Sequence, residues 1–512
     1  MRSRITWRQG VLIRVFLGLL LMSFWGERPA SAQSLDGTIE HRLAQMEERL
    51  ARLEAENQQL RERLTSLETV RPVAAQSLAT PQAGNGNSAR PPQGPAAAAE
   101  TQPSRVAWGA EIRLRPESRS DFSGKNALNN FILQRIRLNA RLRLTDTITG
   151  LAQLQDSRFW GKEVSTASNE STVDLRQGSL QVDRFLDLHQ AYLQVDRFLA
   201  PHLSLRLGRQ ELVYGNERLL GAFGWDNVGR SFDALKLAYA EPQWTTEFFF
   251  SRLNDRRNAG RGDGSQDLMG LYTHIGKSGS RWGLEPYVLY LRDGLATRGE
   301  KAALRPEPTR IATLGFRHFA SFVGGFGYDV ENAYQVGQNG PDTHRAVAVA
   351  AVGRYRHAGR WAPEIGLEYD FATGDRDSRD GRSEEFNNLF PTNHPLYGYA
   401  DYLGWRNMQD FKPYFSFAPF SNVRTELSYH RFLLVESQGA WKNAGGKVLG
   451  YDPTGRLGTD LGHEIDLTLT FPLYERVRIL GGYSVFIPGR FARGTQGPQA
   501  SQFGYLQTLV TF

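Results

Sequence analysis

The feature that most constrains this chain is a period-two alternation of polar and apolar residues, which recurs from residue 105 to the C-terminus. Successive side chains of a β-strand point to opposite faces of the sheet. The clearest case is residues 135–144, where the odd positions are Arg135, Arg137, Asn139, Arg141 and Arg143 and the even positions are Ile136, Leu138, Ala140, Leu142 and Leu144. This pattern predicts a strand with one charged face and one apolar face.

Repetition of the pattern separates a membrane barrel from a soluble β-sandwich. A soluble core would also need strands buried on both faces, and such runs are scarce here. Similar alternation recurs at Glu111–Arg115, Leu203–Leu207, Thr245–Ser251, Thr313–Arg317, Glu364–Phe371, Arg424–His430 and Glu464–Thr470. A closed barrel satisfies every backbone group in lipid. We therefore predict an all-β fold over residues 105–512, a transmembrane antiparallel β-barrel with apolar side chains outside and charged side chains in the lumen.

The C-terminus and the connections agree with an outer-membrane barrel. Gly504, Leu506, Thr508, Val510 and Phe512 alternate and end on a terminal aromatic residue. The short polar segment Thr145–Thr147 contrasts with long Gly-, Asp- and Arg-rich segments such as Asn254–Gln266 and Thr373–Asn393. Short turns are expected on the periplasmic side and long loops outside the cell.

The N-terminus predicts secretion. Arginines precede an apolar stretch from Val11 to Trp25, and Ala30-Ser31-Ala32 follows. The stretch is interrupted by Arg14 and is shorter than a membrane-spanning helix, so we interpret residues 1–32 as a signal peptide rather than an anchor. Its five arginines and Glu27 contribute +4 of the formal charge of +7, which leaves 7 − 4 = +3 for the rest of the chain. The basic composition is therefore no argument for nucleic-acid binding.

Residues 33–70 predict a short α-helical coiled coil that precedes the barrel in the periplasm. Leu43, Leu50, Asn57 and Leu64 fall at heptad position a, and Met46, Leu53, Leu60 and Leu67 at position d. The segment either forms a homo-oligomer through residues 39–67 or lies as a single amphipathic helix on its own chain or on peptidoglycan. Residues 71–104 are rich in Pro, Ala, Gly and Gln and predict a flexible linker.

Four groups of residues resemble the alginate export family of outer-membrane porins. The resemblance spans roughly residues 105–512, and its motifs agree in order and spacing. The first group is Gln155–Arg158, and the second is Leu205–Gln210 with Tyr214, Gly215, Arg218, Trp225, Asn227 and Gly229–Asp233. The third group is Thr373–Asp375 with Phe386–Thr392, His394, Gly398 and Asp401. The fourth group is His463–Leu467 with Gly482–Ser484, Pro488 and Gly489. Within these groups the family-motif positions are Gly208, Arg209, Gln210, Gly229, Arg230, Asp233, Asp375, Glu464 and Asp466.

The resemblance implies a barrel of about 18 strands whose arginine-lined pore conducts a carboxylated polysaccharide while loops restrict access. In this family the barrel is monomeric and begins close to the N-terminus, so the predicted coiled coil departs from its pattern.

Arginine suits the passage of a polyuronate. Its guanidinium group is permanently charged and pairs with carboxylates in a bidentate way, and several weak sites in series let a polymer move from one to the next. The expected substrate-binding residues in the lumen are Arg113, Arg115, Arg135, Arg137, Arg141, Arg143, Arg158, Arg206, Arg317 and Arg424. Acidic residues of the same parity, such as Glu331 and Glu368, could instead pair with individual arginines and stiffen the barrel.

The sequence predicts a channel, an anionic polysaccharide such as an alginate-like polyuronate as cargo, outer-membrane lipid around it, and a periplasmic export scaffold or peptidoglycan as further partners. The alternatives are a general anion-selective porin oligomerised by its coiled coil, or an envelope-anchoring barrel protein. No catalytic arrangement of Ser, His and acid stands out, and no cofactor is expected. Asp370, Asp375, Asp377 and Asp380 could hold Ca²⁺, although the interleaved arginines favour a solvated loop of mixed charge.

The coiled-coil prediction can be tested on a peptide of residues 39–67. The unbroken heptad pattern with one Asn at position a should make it self-associate as a parallel coiled coil. Analytical ultracentrifugation should find an oligomer, and a monomer at high micromolar concentration would contradict the prediction.

Overall fold

The computed structural model describes residues 105–122, 129–160, 187–254, 265–277, 279–297, 307–322, 324–377, 379–420 and 422–512. The predicted signal peptide, coiled coil and linker lie outside the described residues and remain predictions. Within the described ranges, no helix is long and apolar enough to cross a membrane.

The strands begin at residue 106, one position after the predicted start of the barrel. They are β1 Val106–Arg119, β2 Asn129–Arg143, β3 Ile148–Trp160, β4 Asp187–Val195, β5 Leu203–Gln210, β6 Phe232–Glu241, β7 Trp244–Asn254, β8 Gln266–Ile275, β9 Trp282–Thr297, β10 Glu307–Ser321, β11 Phe326–Asn339, β12 Asp342–Arg356, β13 Glu364–Ala372, β14 Arg382–Ser383, β15 Met408–Phe420, β16 Val423–Leu433, β17 Trp441–Lys442, β18 Val448–Gly450, β19 Asp460–Tyr474, β20 Val477–Pro488 and β21 Ser501–Thr511. One short helix, α1 Arg490–Thr495, precedes β21.

These strands form a closed antiparallel barrel. Each long strand pairs with the next long strand along the chain, with β13 beside β15 and β16 beside β19. The last strand then pairs with the first, for example Ile112 with Val510. Of the 21 strands in the described ranges, β14, β17 and β18 lie outside this cycle, so the barrel has 21 − 3 = 18 strands. The expected fold is thus confirmed for the barrel.

The connections at the two ends of the barrel differ in length. Connections such as 144–147, 242–243 and 475–476 are short, whereas 211–231, 373–407 and 434–459 at the opposite end are long. We call these the turn end and the loop end. Barrel architecture places short turns in the periplasm and long loops outside the cell.

The two faces of each strand follow the predicted alternation. On β2, Leu133, Arg135 and Arg137 are buried while Leu138 and Leu142 are exposed. The exposed face carries large apolar residues all round the barrel, among them Leu207, Leu271, Leu314, Leu367 and Leu427. Exposed Trp108, Trp244, Trp282, Phe326 and Tyr474 stand near the turn end, as expected for an aromatic girdle at a membrane interface. The exposed face is therefore the lipid face, and the buried face encloses the lumen.

Leu138 provides a direct test of this assignment. Its side chain is 51% exposed, and it pairs across the sheet with Ala110 and Leu154 on the same face. Leu138→Arg should impair insertion, because an arginine at the lipid midplane costs about 2 to 4 kcal/mol. Heat-modifiable gel mobility after refolding into lipid vesicles measures the folded fraction.

Asn139→Arg is the matched control, since the same charge one residue along points into the lumen. It should insert like the wild type. Normal insertion of Leu138→Arg together with failure of Asn139→Arg would mean that the two faces of β2 are assigned the wrong way round.

Candidate functional site

Two loops from the loop end fold into the lumen. The first inner loop is residues 211–231, between β5 and β6, and the second inner loop is residues 384–407, between β14 and β15. Both carry large apolar side chains that pack against lumen-facing residues of β7 to β9 in one buried cluster. Its members include Leu212, Leu219, Leu220, Phe386, Phe390 and Trp405 from the loops and Phe249, Leu268 and Leu289 from the strands. This half of the lumen thus contains a packed core.

Backbone hydrogen bonds join the inner loops to each other. Leu220 and Phe390 form a parallel β-bridge, and the Gly221 amide donates to the Phe390 carbonyl at 2.9 Å. The Phe223 amide donates to Oγ1 of Thr392 at 2.8 Å. The loops therefore form one unit inside the barrel.

A cluster of arginines on β1 and β2 holds the first inner loop. We call Arg113, Arg115, Arg135 and Arg137 the basic wall. Each of these side chains is 8% exposed or less. They reach the loop from neighbouring strands, since Arg113 and Arg135 are paired in the β1–β2 register.

The basic wall binds peptide carbonyl groups of the loop. Arg113 donates to the carbonyls of Gly224 at 2.8 Å and of Asp226 at 2.7 Å. Arg135 donates to the same two carbonyls at 3.0 and 3.1 Å. Arg115 donates to the Trp225 carbonyl at 2.7 Å, and its guanidinium lies 3.6 Å from the centre of the Trp225 ring.

Acidic side chains approach only part of the basic wall. Arg135 pairs with Glu111 at 2.7 Å, and Arg115 pairs with Glu117 at 2.7 Å. Arg113 has no ion pair within the described ranges, and the loop carbonyls are its main acceptors. The loop thus occupies donors that a bound anion could use.

Arg137 has a different environment from the other three arginines. It donates to Oε1 of Gln155 at 2.7 Å and lies 3.0 Å from Nε2 of His189. Glu211, at the start of the first inner loop, is 3.6 Å from Arg137 and 2.9 Å from His189. Arg137 therefore also helps to hold the loop.

Another part of the lumen, formed by other strands, is acidic. We call Glu331, Glu368, Asp370, Asp410, Glu464 and Asp466 the acidic wall; they lie on β11, β13, β15 and β19 and are all buried. Arg218 of the first inner loop reaches this wall, pairing with Asp370 at 2.8 Å and with Glu368. Its guanidinium also donates to the Tyr397 hydroxyl of the second inner loop at 2.8 Å.

Further cations pair with the acidic wall. Lys412 pairs with Glu368 at 3.3 Å, and His430 lies between Asp410 at 2.6 Å and Asp466 at 3.3 Å. Burying a carboxylate without a partner costs several kcal/mol, so these contacts are a condition of folding. They also leave the wall unsuited to bind an anion.

The second inner loop also rests on the acidic wall. The Ala400 amide donates to Oε1 of Glu464 at 2.8 Å. Gly398 has φ of +84°, and a Cβ there would lie 2.6 Å from Oε2 of Glu464. Only glycine fits this approach without a shift, which explains one glycine of the third motif group.

Several predicted arginines lie in the turn-end half of the lumen. Arg141 and Arg143 are exposed on the same face of β2 as Arg135. Arg206 is half-buried and donates to Oε1 of Gln194 at 2.9 Å. Within the described ranges these three have no acidic partner.

Two other predicted arginines in this half are engaged by polar or acidic groups. Arg317 pairs with Asp329 at 2.5 Å and with Glu285 at 2.9 Å. Arg424 donates to Oγ of Ser416 at 2.9 Å and remains about half exposed. The stiffening alternative from the sequence therefore describes Arg317 well.

The predicted lumen position of Arg158 was wrong. On β3 the buried residues are Gln153, Gln155 and Ser157, so Arg158 lies on the lipid face beside Asp156, at 2.8 Å. Its place in the set came from the Gln155–Arg158 motif, and strict alternation along β3 would have excluded it.

The motif positions other than Asp375 fall into three environments. The first environment is the place where β5 meets β6, which contains Gly208, Arg209, Gln210 and Asp233. Arg209 and Asp233 pair there at 2.8 Å on the lipid face, and the side-chain amide of Gln210 donates to the Ala234 carbonyl at 3.0 Å. Gly229 and Arg230 belong to the first inner loop, where Arg230 donates to the Pro391 carbonyl at 3.1 Å. Glu464 and Asp466 belong to the acidic wall.

Asp375 occupies a separate cavity of about 570 Å³ at the loop end, lined also by Glu385, Arg406 and Lys442. Asp370 lies in the lumen on β13, whereas Asp377 is exposed next to Arg379 at 3.8 Å. No group of three or more His, Asp or Glu residues in the described part of the chain could hold a metal ion. The Ca²⁺ hypothesis for residues 370–380 is therefore not supported, because the carboxylates do not converge.

The strand pattern did not reveal the residues that anchor the inner loops. Arg218, Trp225 and His394 belonged to motif groups but had no assigned role. In the structure the rings of Trp225 and His394 stack at 3.7 Å between centroids, which joins the two loops. Large apolar residues within a long loop, such as Leu219 and Leu220, were the available signal.

Two buried titratable groups in the inner loops respond to pH with opposite sign. Burial raises the pKa of Asp226 to about 6, although amides of Val228 and Gly229 donate to its Oδ1. Oδ2 of Asp226 is buried without a partner among the described residues. Burial lowers the pKa of His394, which lies 2.8 Å from Asp401.

The signs follow from linkage. The raised pKa of Asp226 stabilises the packed position of the first inner loop at low pH, and this contribution is lost as pH rises through about 6. The lowered pKa of His394 stabilises the packed position of the second inner loop at neutral pH, and this contribution is lost as pH falls. The two effects oppose each other in the wild type.

Asp226→Asn, which mimics the protonated acid, should remove the first effect. The ratio of channel conductance at about pH 7 to that at about pH 4 should fall roughly tenfold below the wild-type ratio. His394→Gln should move the ratio in the opposite direction. Planar-bilayer recordings measure both, and changes of the same sign in the two variants would contradict this account.

Comparisons with known proteins agree with this architecture. Residues 104–505 match the family model described as alginate export. Among solved structures, OccAB4 of Acinetobacter baumannii is 11% identical with a TM-score of 0.52, covering 81% of this chain and 99% of that one. OccK2 (OpdF) of Pseudomonas aeruginosa is 12% identical with a TM-score of 0.51, covering 80% and 97%. These structural likenesses concern the fold alone.

No curated protein sequence matches the chain. The family match, however, covers well over half of its 512 residues and includes all 18 barrel strands at least in part. The protein is therefore a member of the alginate export family of outer-membrane β-barrels.

Proposed function

We propose that this barrel passes an anionic polysaccharide, of the polyuronate class, through its lumen along the basic wall. The proposal is supported by the family and by the distribution of charge within the lumen. Arg218, Lys412 and His430 form ion pairs with four members of the acidic wall, Glu368, Asp370, Asp410 and Asp466. Arginines of the basic wall donate to neutral carbonyl groups of the first inner loop, and Arg115 and Arg135 each also pair with one glutamate.

The observation that carries the proposal is the shared use of two peptide carbonyls by Arg113 and Arg135. Both guanidinium groups donate to the carbonyls of Gly224 and Asp226. Hydrogen bonds from arginine to a carboxylate are roughly twice as strong as bonds between neutral groups. A uronate carboxylate is therefore a better acceptor for this pair than the loop that now occupies it.

Passage then proceeds by exchange. The polymer replaces the loop carbonyls on the basic wall, and the first inner loop moves aside while the barrel strands stay in place. Each arginine keeps an acceptor throughout, so no buried cation is left unpaired during the exchange. Binding of the polymer is distributed over several adjacent arginines, so each single site is weak enough to release the polymer.

The turn-end half of the lumen provides the first contact for the polymer. Arg141, Arg143 and Arg206 have no acidic partner among the described residues, and Arg141 and Arg143 are exposed. They stand between the turn end and the basic wall. A positive potential there raises the local concentration of an anionic chain and would favour export from the periplasm.

The test is made in two steps on the full chain in planar bilayers. Replacing residues 222–228 with a Gly/Ser linker should raise conductance severalfold, because the loop segment on the basic wall is gone. In that background Arg113→Ser with Arg135→Ser should weaken block of the current by oligouronates about tenfold or more. Conductance in salt alone should change little.

Arg158→Ser with Arg209→Ser in the same background is the matched control, since it also removes two arginines but from the lipid face. It should leave oligouronate block unchanged. Equal block in both double variants would contradict a binding role for the basic wall. Good passage of phosphate without any block by oligouronates would favour the general anion-selective porin instead.

The coiled coil predicted for residues 39–67 remains a proposal for assembly. A homo-oligomer would bring several lumens together, whereas binding to peptidoglycan or to an export scaffold would position one lumen over the site of synthesis. Neither is needed for the exchange on the basic wall.

A further inference from the structure

The lipid face carries an unusual row of arginines near the loop end, on strands β7 to β12. Arg252 pairs in register with Asp267, Asp267 with Arg292, and Arg292 with Arg310. These four residues therefore stand side by side on four adjacent strands. We call the three arginines among them, together with Arg345 of β12, the outer arginine row.

Arg345 lies one step nearer the turn end. It pairs with Val336, which in turn pairs with Ala312, two residues beyond Arg310 on β10. Arg310 and Arg345 are both exposed. The row thus spans six strands and faces away from the lumen.

The arginines of this row differ in their partners. Arg252 and Arg292 share Asp267, at 2.6 and 3.2 Å. Within the described ranges, Arg310 and Arg345 form no ion pair. Arg292 and Arg310 are directly opposite each other, and like charges in that position destabilise a sheet.

Other arginines on the lipid face near the loop end differ from this row. Arg209 is paired one-to-one with Asp233 at 2.8 Å, and Arg158 with Asp156 at 2.8 Å. Each of these arginines has its own acid. Arg310 and Arg345, which form no ion pair with any described residue, therefore set this row apart.

The height of the row matches a membrane interface. Below it lies a continuous apolar row formed by exposed Phe248, Leu271, Val288, Leu314, Tyr334 and Val347. Arg310 and Ala320 are ten residues apart on β10, and Ala320 pairs with Trp282 of the aromatic girdle. Ten residues extend about 34 Å along a strand, which at a tilt of about 40° gives a height of about 26 Å.

This height equals the apolar band of an outer-membrane barrel, which is about 25 Å tall. With the girdle at one interface, Arg310 of the outer arginine row stands at the headgroup level of the opposite leaflet. Long loops lie on this side, so it is the leaflet that faces the outside of the cell.

We propose that the outer arginine row is a binding site for the phosphate groups of the glycolipid in the outer leaflet. Phosphate oxygens accept the bidentate hydrogen bonds that arginine donates. A phosphate between Arg292 and Arg310 replaces their repulsion with attraction, and Arg345 can reach a second phosphate of the same or a neighbouring lipid. The site is independent of the cargo that crosses the lumen.

The test uses the full-length chain in detergent and measures binding of bis-phosphorylated lipid A by native mass spectrometry. Arg310→Gln with Arg345→Gln should weaken binding at least about tenfold. Arg158→Gln with Arg209→Gln is the matched control, since it removes two lipid-face arginines near the loop end that are already paired. The control should keep its affinity within about twofold.

A second measurement on the wild type does not depend on the folding of any variant. Lipid A whose phosphates have been removed should bind at least tenfold more weakly than the phosphorylated form. Equal binding of the two forms would overturn the proposal. So would an equal loss in both double variants, or phosphatidylglycerol binding as tightly as lipid A, which would indicate only diffuse attraction to anionic lipid.

Discussion

Closure of the sheet between β1 and β21 is the constraint on which the rest of this structure depends. A strand edge cannot remain unpaired in lipid, so all 18 strands must form one cycle. In a closed barrel each strand has one face toward lipid and one toward the lumen. Polar side chains are therefore collected inside, where many of them are buried and must find partners.

The inner loops meet that demand. Arg218 from the first inner loop satisfies the acidic wall, while the same loop offers its carbonyl groups to Arg113 and Arg135. One segment thus pairs with one wall and occupies the other. The two sets of contacts differ in kind, because the ion pairs with Glu368 and Asp370 are costly to break, whereas the carbonyl contacts can be replaced by a stronger acceptor. In the proposed function, this asymmetry lets an anionic polymer displace the loop from the basic wall while Arg218 stays on the acidic wall.

Sequence periodicity predicted the strands and most of their faces because alternation is a local property. It placed Arg113, Arg135 and Arg137 toward the lumen correctly, and it would have excluded Arg158 had the motif not been followed instead. The inner loops could not be predicted in the same way. Their contacts, such as those of Arg218 with Asp370, join residues more than 150 positions apart and leave no periodic signal. The number of strands came from family resemblance rather than from counting patterns.

The central claim is that the first inner loop must leave the basic wall before a polymer can pass. The chain has no cysteine, so two introduced cysteines can form only one disulfide within the chain. Ser157 Oγ lies 2.8 Å from the Asn227 carbonyl, and Nδ2 of Asn227 donates to the Arg158 carbonyl at 3.2 Å, so Ser157→Cys with Asn227→Cys can tether the loop to β3. Passage of polyuronate into vesicles that contain the double variant should be abolished in the oxidised form and restored by a reductant. Equal passage with the disulfide formed would contradict the account.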